Sequence, residues 1–290
     1  MRAGTRFVAP SLVAAALAAW IVTAARMRGM DAGPGTDLGG LGWYVGIWAT
    51  MMAAMMLPAV VPVVMLFARA AQAQRFVGAW TFFAGYLLVW VVYGLVAYGV
   101  YRGLHAAAPG FLAWDSGGRY VAAGALAAAG AYQLGPLKTL CLRHCRSPLH
   151  FLLHRWRKGV VGAVQMGAEH GAYCVGCCWG LMIVLFALGV MSLTWMAVVA
   201  ALIFAQKLLP RGEQLTRIFA VAFVAAGMWV AAAPGSVPGL TLPDSGAADR
   251  ARMQMMGTPG GELKPGERMR PGGDVRPGAG MDSDKQMEAD

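Results

Sequence analysis

The residues best suited to chemistry are one histidine and three cysteines, His170, Cys174, Cys177 and Cys178, in a stretch that is otherwise mostly apolar. Relative to His170, the cysteines would lie at about +40°, −20° and +80° around the axis of a helix. All four side chains would therefore project from one helical face. Thiolates select Cu(I) and Zn(II), and imidazole suits both ions. The pattern predicts a soft-metal site on one face of a helix.

The two remaining cysteines, Cys141 and Cys145, form a second pair with a spacing of four residues just upstream. If both groups lie at the same face of the membrane, this pair can complete the site or receive its ion. Tetrahedral zinc requires four ligands, whereas a low-coordinate Cu(I) site needs two or three. Cu(I) is therefore favoured and Zn(II) is possible. The nearby His144, His150 and His154 are more simply interpreted as interfacial side chains of an amphipathic segment.

A methionine-rich segment upstream offers a second set of soft ligands. Two overlaid pairs at a spacing of four residues are followed by Pro58 and Pro62; they are Met51, Met52, Met55 and Met56. A proline inside an apolar helix frees a backbone carbonyl and bends the helix. Thioethers beside such a bend could relay Cu(I), although core packing is the simpler interpretation. These four methionines complete the predicted set of metal-site residues.

Composition predicts the elements that must hold these ligands. The chain is 58% hydrophobic and 13% charged, with a mean hydropathy of +0.54, which is typical of a polytopic membrane protein. We expect an all-α fold with about seven transmembrane helices. The expected spans are about 7–25, 43–68, 78–101, 119–137, 160–189, 192–209 and 215–233. These predict an N-terminal helix and loop (1–40), a helical membrane core (41–233) and a disordered tail (234–290) rich in Gly, Pro and charge.

The distribution of charge predicts the orientation in the membrane. The net charge of +10 is carried by short loops between the apolar spans, so we do not expect nucleic-acid binding. Loops predicted on one side hold 13 basic residues, including six in 138–158, and those on the other side hold four. The positive-inside rule then predicts a cytoplasmic N-terminus and a cytoplasmic 138–158 loop in a plasma (inner) membrane, with the tail outside.

Several motifs together resemble a known family. The segments that carry the resemblance are 51–58, 132–138, 141–148, 170–179, 181–182 and 189–191. They resemble bacterial and archaeal proteins described as predicted metal-binding integral membrane proteins, a domain-of-unknown-function family numbered 2182. The resemblance covers about residues 40–210 and departs from the family pattern at Gly135 and Ser192, where threonine and asparagine are expected. It implies a helical inner-membrane protein that binds a metal, sometimes described as a copper chaperone, with no reaction attached.

Three functions remain open from the sequence. The leading interpretation is a non-enzymatic metal chaperone or transporter, with the lipid bilayer, the ion and a protein donor or acceptor as partners. The alternative is a membrane thiol–disulfide oxidoreductase that uses the Cys174-x-x-Cys177 and Cys141-x-x-x-Cys145 pairs. Redox pairs of this kind work best at a helix N-terminus, where the dipole stabilises the thiolate. A third possibility is an assembly factor whose cysteines are structural.

Overall fold

The chain is almost entirely helical in the part that the structure describes. The computed structural model describes residues 3–31, 33, 38–71, 75–107, 114–243, 245–256, 268–269 and 275–276. Its helices are α1 (Ala3–Met27), α2 (Leu41–Ala70), α3 (Arg75–Ala107), α4 (Arg119–Gln133), α5 (Pro136–Arg146), α6 (Pro148–Arg155), α7 (Gly159–Leu188), α8 (Leu193–Leu208), α9 (Gly212–Ala232) and α10 (Gly246–Met256). A π-helical turn (Trp114–Gly118) precedes α4, and a 3-10 turn (Pro234–Ser236) follows α9. Two short antiparallel strands, β1 (Arg268–Met269) and β2 (Val275–Arg276), lie in the tail.

Five helices, α1, α2, α3, α7 and α9, are long and apolar enough to cross a membrane. Large apolar side chains are exposed along α1, α3 and α9, as at Ile21, Val96 and Val221, and such a surface suits contact with lipid. The other two predicted spans correspond to α4 and α8, with 15 and 16 residues. At 1.5 Å per residue they reach about 24 Å, less than the roughly 30 Å of a hydrocarbon core. The predicted count of seven spans therefore stays a prediction.

Glycines set how closely α3 and α7 approach. Gly167 packs directly against the backbone of Phe82, and a Cβ built on Gly171 would lie 2.9 Å from the carbonyl oxygen of Tyr86. A larger side chain at Gly171 would therefore force the two backbones apart. This contact places the Tyr86 side chain against the face of α7 that carries Cys174.

Glycine also decides where α7 ends. Gly189 follows the last helical residue with φ +119°, and its N–H donates to the carbonyl of Leu185. Residues with a side chain rarely adopt this φ, so glycine terminates the helix here. The cysteines at 174–178 consequently lie in the interior of a 30-residue helix.

Two prolines define the short helices beside the site. The predicted span at 119–137 divides, because α4 ends at Gln133 and Pro136 begins α5. Pro148 occupies the first turn of α6 in the same way, a position that needs no backbone N–H. This arrangement turns Cys141 and Cys145 away from the end of α4 and lays them along α7.

Arg146, the last residue of α5, ties that helix to the end of α8. Its guanidinium donates to three backbone carbonyls, those of Gln206 (3.2 Å), Leu209 (2.7 Å) and Pro210 (3.1 Å). Carbonyls at a helix C-terminus lack partners within the helix, so a cation there stabilises the helix end. The contact fixes α8 relative to the cysteine-bearing α5.

The C-terminal tail was predicted to be disordered from residue 234. Within its described part, α10 spans Gly246–Met256 and buries Ala248 and Ala251. Most of the chain beyond residue 256 lies outside the described residues. Disorder of the tail therefore stays a prediction.

Candidate metal centre

Three thiols from α7 converge in the interior of the protein. Cys174, Cys177 and Cys178 are each at most 1% exposed, and their Sγ atoms lie within 4.8 Å of one another. The Sγ atoms of Cys177 and Cys178 are 3.3 Å apart. A metal bonded to three coplanar sulfurs at about 2.3 Å would set those sulfurs about 4 Å apart. The thiols are therefore close to the geometry that one ion requires.

A fourth thiol comes from α5. The Sγ of Cys145 lies 3.8 Å from the Sγ of Cys177, so the second cysteine pair does reach the first group. Cys141 lies one turn earlier, and a Cβ built on Gly176 would lie 2.6 Å from its Sγ. Burial raises the pKa of the Cys141 thiol, and the charge of Lys138 partly offsets that effect. Cys145 thus extends the cluster, whereas Cys141 packs against the backbone of α7.

The Cys174 sulfur has neighbours from three other helices. Lys207 of α8 donates from Nζ to this sulfur at 2.8 Å, and the Tyr86 hydroxyl of α3 lies 2.9 Å from it. The Sδ of Met56, from α2, lies 4.0 Å away. A sulfur that accepts a hydrogen bond from an ammonium is stabilised in its anionic, metal-binding form.

A second buried lysine supports the same stretch of α7. The Lys138 side chain, which is 1% exposed, donates to the carbonyl of Cys177 and to the Oε1 of Gln206, the latter at 2.7 Å. The Nε2 of Gln206 donates in turn to the Oε1 of Gln133 at 3.3 Å. This buried chain of hydrogen bonds joins α4, α5 and α8 to the backbone at the cysteine motif.

Both lysines correct the sequence-based interpretation. Lys138 and Lys207 are two of the 13 basic residues predicted to lie in loops on the cytoplasmic side, yet both side chains are buried. The prediction was wrong for these two residues because Lys207 lies within α8 and Lys138 lies within α5, where packing between helices buries both side chains. The sequence feature that could have indicated a buried polar network is the presence of the polar residues Gln133 and Gln206 inside apolar segments. Without the two lysines, the predicted cytoplasmic loops still hold most of the basic residues.

The nearby carboxylates are paired with arginines. Glu169, on α7, pairs with Arg155 at 3.1 Å. Glu213 pairs with Arg143 at 2.9 Å. Both carboxylates are thus paired with arginines. In the described structure, Lys138 and Lys207 instead contact sulfur, carbonyl and amide groups.

His170 lies one turn before Cys174 and is 2% exposed. Its ring packs among Phe82, Tyr86 and Phe151, at centroid distances of 6.2, 6.1 and 5.3 Å. It is not part of the group of three whose ligand atoms lie within 4.8 Å. Among the described residues its Nδ1 has no hydrogen-bond partner, which is unusual for a buried polar atom. The histidine thus keeps an unused ligand atom beside the thiols.

Of the four methionines predicted as ligands on α2, one lies next to the thiols. Met56 contacts the Cys174 sulfur, as described above. Met51, Met52 and Met55 are buried in the hydrophobic core. The helix continues through Pro58 and Pro62. The structure therefore places one of the four predicted thioethers at the cysteines.

The chain matches a known protein family. A family model described as "PpoB2: Copper chaperone" matches residues 45–230, which include every predicted metal-site residue. No curated protein and no solved structure matches the chain. The family and the buried cluster of three cysteines agree with the expected metal-binding family and point to metal binding. The narrower identification with the family numbered 2182 stays a prediction.

Proposed function

We propose, from the premise that this chain belongs to the copper chaperone family, that it is an integral membrane protein that binds and transfers Cu(I). The proposed ligands are the thiolates of Cys174, Cys177 and Cys178, with Cys145 adjoining them. The observation that carries the proposal is the mutual approach of three buried α7 thiols within 4.8 Å.

The donor set favours Cu(I) over Zn(II). Thiolate and thioether are soft ligands that suit Cu(I), and Met56 adds a thioether at 4.0 Å from Cys174. Structural zinc usually takes four ligands in a tetrahedron, whereas the compact group here has three. The ammonium of Lys207 also repels a divalent cation about twice as strongly as a monovalent one at the same distance.

Transfer is proposed because soft ligands extend on two sides of the three thiols. Met56 lies on the α2 side and Cys145 on the α5 side, so an ion can exchange one ligand at a time. Met51, Met52 and Met55 would continue this series along α2, and His170 and Cys141 would be further stations. Such a series suits a chaperone or transporter, because the ion only changes its ligands and no side chain has to react chemically.

The orientation belongs to the same proposal. We place the N-terminus and the 138–158 segment in the cytoplasm and the tail outside, on the strength of the basic residues in the predicted loops. Cys145 and the α5–α6 segment would then lie on the cytoplasmic side of the site.

Metal content tests the proposal directly. The wild-type protein, purified after growth with copper, is expected to contain copper by elemental analysis, and Cys174→Ala and Cys177→Ala are each expected to lose most of it. Cys141→Ala is expected to keep more copper than either of these variants, because its thiol packs against Gly176 outside the compact group. A wild-type protein without copper, or variants with unchanged content, would contradict Cu(I) binding. A wild-type protein that contains zinc in place of copper would support a metal site at these thiols but contradict Cu(I) as its ion.

The alternative of thiol–disulfide exchange is less well supported. All five cysteines are free and buried, and exchange requires an incoming thiolate to approach a disulfide sulfur. Cys174 and Cys177 also lie in the interior of α7 and not at its N-terminus. Mass shifts on alkylation under oxidising and reducing conditions would separate the two functions. A reversible pair of disulfides would favour the oxidoreductase.

A further inference from the structure

Three of the five histidines lie together on α5 and α6, outside the thiol site. His150 and His154 are exposed and His144 is half-buried. We propose that these three histidines form a second, accessible site for a Cu(I) ion, which loads the buried thiols. The loading role depends on the proposed function, whereas binding at the histidines does not.

The hydrogen bonds of two of these rings leave a ligand atom free. The Nδ1 of His144 lies 2.9 Å from the carbonyl of Leu140, and the Nδ1 of His154 lies 2.9 Å from the carbonyl of His150. A carbonyl oxygen can only accept, so each Nδ1 must carry the proton and donate it. In the neutral ring, Nε2 then holds the lone pair. Metal-binding histidines are commonly oriented in this way, by donation from the other ring nitrogen to a carbonyl.

The rings are also close to one another. His150 and His154 stack at a centroid distance of 4.2 Å, one turn apart on α6, and His144 lies 6.5 Å from His150. Two imidazole nitrogens at about 2 Å from an ion between them would be about 4 Å apart, using the metal–nitrogen distance of zinc sites. Rotation of the exposed His150 side chain would aim a ring nitrogen toward the Nε2 of His154, whose Nδ1 would stay bonded to the carbonyl of His150. His144, with its ring 6.5 Å from that of His150, would have to move closer to act as a third ligand.

The same two helices connect these histidines to the interior. His144 precedes Cys145, the α5 thiol at 3.8 Å from Cys177. His150 precedes Phe151, whose ring packs against His170 at 5.3 Å. The His144 ring also stacks on Tyr173, the residue before Cys174, at 4.6 Å. At each of these points a surface histidine, or the tyrosine on which it stacks, is the direct chain neighbour of a buried residue.

Two of the arginines around the histidines are paired with carboxylates, Arg143 with Glu213 and Arg155 with Glu169. Arg146 donates to the carbonyls at the end of α8, which orient its guanidinium toward that helix end. A cation that approaches the imidazoles therefore meets less repulsion from Arg143 and Arg155 than two unpaired arginines would exert.

The transfer is an exchange of ligands. Bonds from Cu(I) to imidazole nitrogen break as bonds to cysteine sulfur form, and copper keeps its oxidation state. Each thiol that becomes a thiolate releases one proton, which the vacated Nε2 or water accepts. No oxidant or reductant is required.

The rate of loading tests the connection. The full-length protein in lipid nanodiscs is mixed with Cu(I) held by bicinchoninate, and the transfer is followed by loss of the coloured complex and gain of thiolate–copper absorption. The double variant His150→Gln, His154→Gln is expected to load about tenfold more slowly. Its final copper content at the thiols should be unchanged. His105→Gln, on the last turn of α3, is the matched control and should load at the wild-type rate.

The binding site itself is tested without the thiols. A chain with all five cysteines changed to Ser should still bind one Cu(I), with nitrogen and no sulfur neighbours by X-ray absorption, and the double histidine variant of that chain should not. An unchanged loading rate together with no binding by the cysteine-free chain would overturn the proposal. If wild-type thiols hold no copper but the cysteine-free chain binds it, the proposed function fails and the histidine site stands.

Discussion

The Cys174 sulfur is the point at which four helices meet. It belongs to α7 and is approached by Lys207 from α8, Tyr86 from α3 and Met56 from α2. A hydrogen bond to a charged donor is stronger than one between neutral groups. The binding properties of this thiol therefore depend on residues that are far from it in the chain.

Replacement of Lys207 by Leu tests this dependence. Lys207→Leu keeps an apolar stem but removes the donor at 2.8 Å from the sulfur, and it adds no metal ligand. We expect the affinity for Cu(I) to fall by about tenfold, because the thiolate loses its hydrogen bond from the ammonium. Competition with a chromophoric chelator measures the change. Lys207→Arg, which keeps a cationic donor, should retain more affinity than Lys207→Leu, and equal affinities would contradict the role of the charge.

The candidate metal ligands were easier to predict than their neighbours. The spacing of Cys174, Cys177 and Cys178 fixes a common helical face, so the sequence alone predicted that they converge. Lys207 gave no comparable signal, because a lysine near the end of an apolar helix is equally typical of a loop. Its burial depends on packing between α8 and α7, which no local pattern records.

At the scale of elements, the contact between α3 and α7 positions Tyr86 at the site. Gly167 and Gly171 allow the α7 backbone to lie directly on that of α3. Glycine spacing alone does not distinguish which glycines lie at a contact between helices. Gly124, on α4, has no atom within 4 Å of a built Cβ in the described structure.

This difference provides a matched pair of substitutions. Gly171→Val is expected to lower the free energy of unfolding by about 2 kcal/mol, because its side chain must displace the α3 backbone. It should also reduce copper binding, since Tyr86 moves away from Cys174. Gly124→Val should change either quantity much less. Thermal unfolding in detergent and copper titration measure the two effects, and equal losses in both variants would contradict this packing role.

At the scale of the whole molecule, the helices follow the predicted spans, but the site depends on elements that the spans did not reveal. The apolar segments at 119–137 and 192–209 correspond to α4 and α8, which are shorter than a full crossing. Hydropathy reports composition and not the point at which a helix turns. The division after Gln133, which creates α5 and brings Cys145 to α7, depends on Gly135 and Pro136.

The proposed orientation can be tested by labelling. The native cysteines are all buried, so a new exposed thiol should react in preference to them. We expect Gly246→Cys, at an exposed position with open space for a side chain, to react with a membrane-impermeant maleimide in intact cells. Ser147→Cys, between α5 and α6, should react only after permeabilisation. Labelling of both sites from outside, or of neither, would contradict a cytoplasmic 138–158 segment with an external tail.

The two prolines of α2 interrupt the backbone hydrogen bonds of that helix next to the site. Pro58 and Pro62 have no backbone N–H, so the carbonyls of Ala54 and Pro58 lose their usual helical partners around Met56. Helix α7 contains no proline between Gly159 and Leu188. The three thiols therefore lie on a helix that proline does not interrupt, while the Met56 thioether lies beside the interrupted turn of α2. If the site binds copper as proposed, the contact with Met56 should be the first to open when the ion leaves.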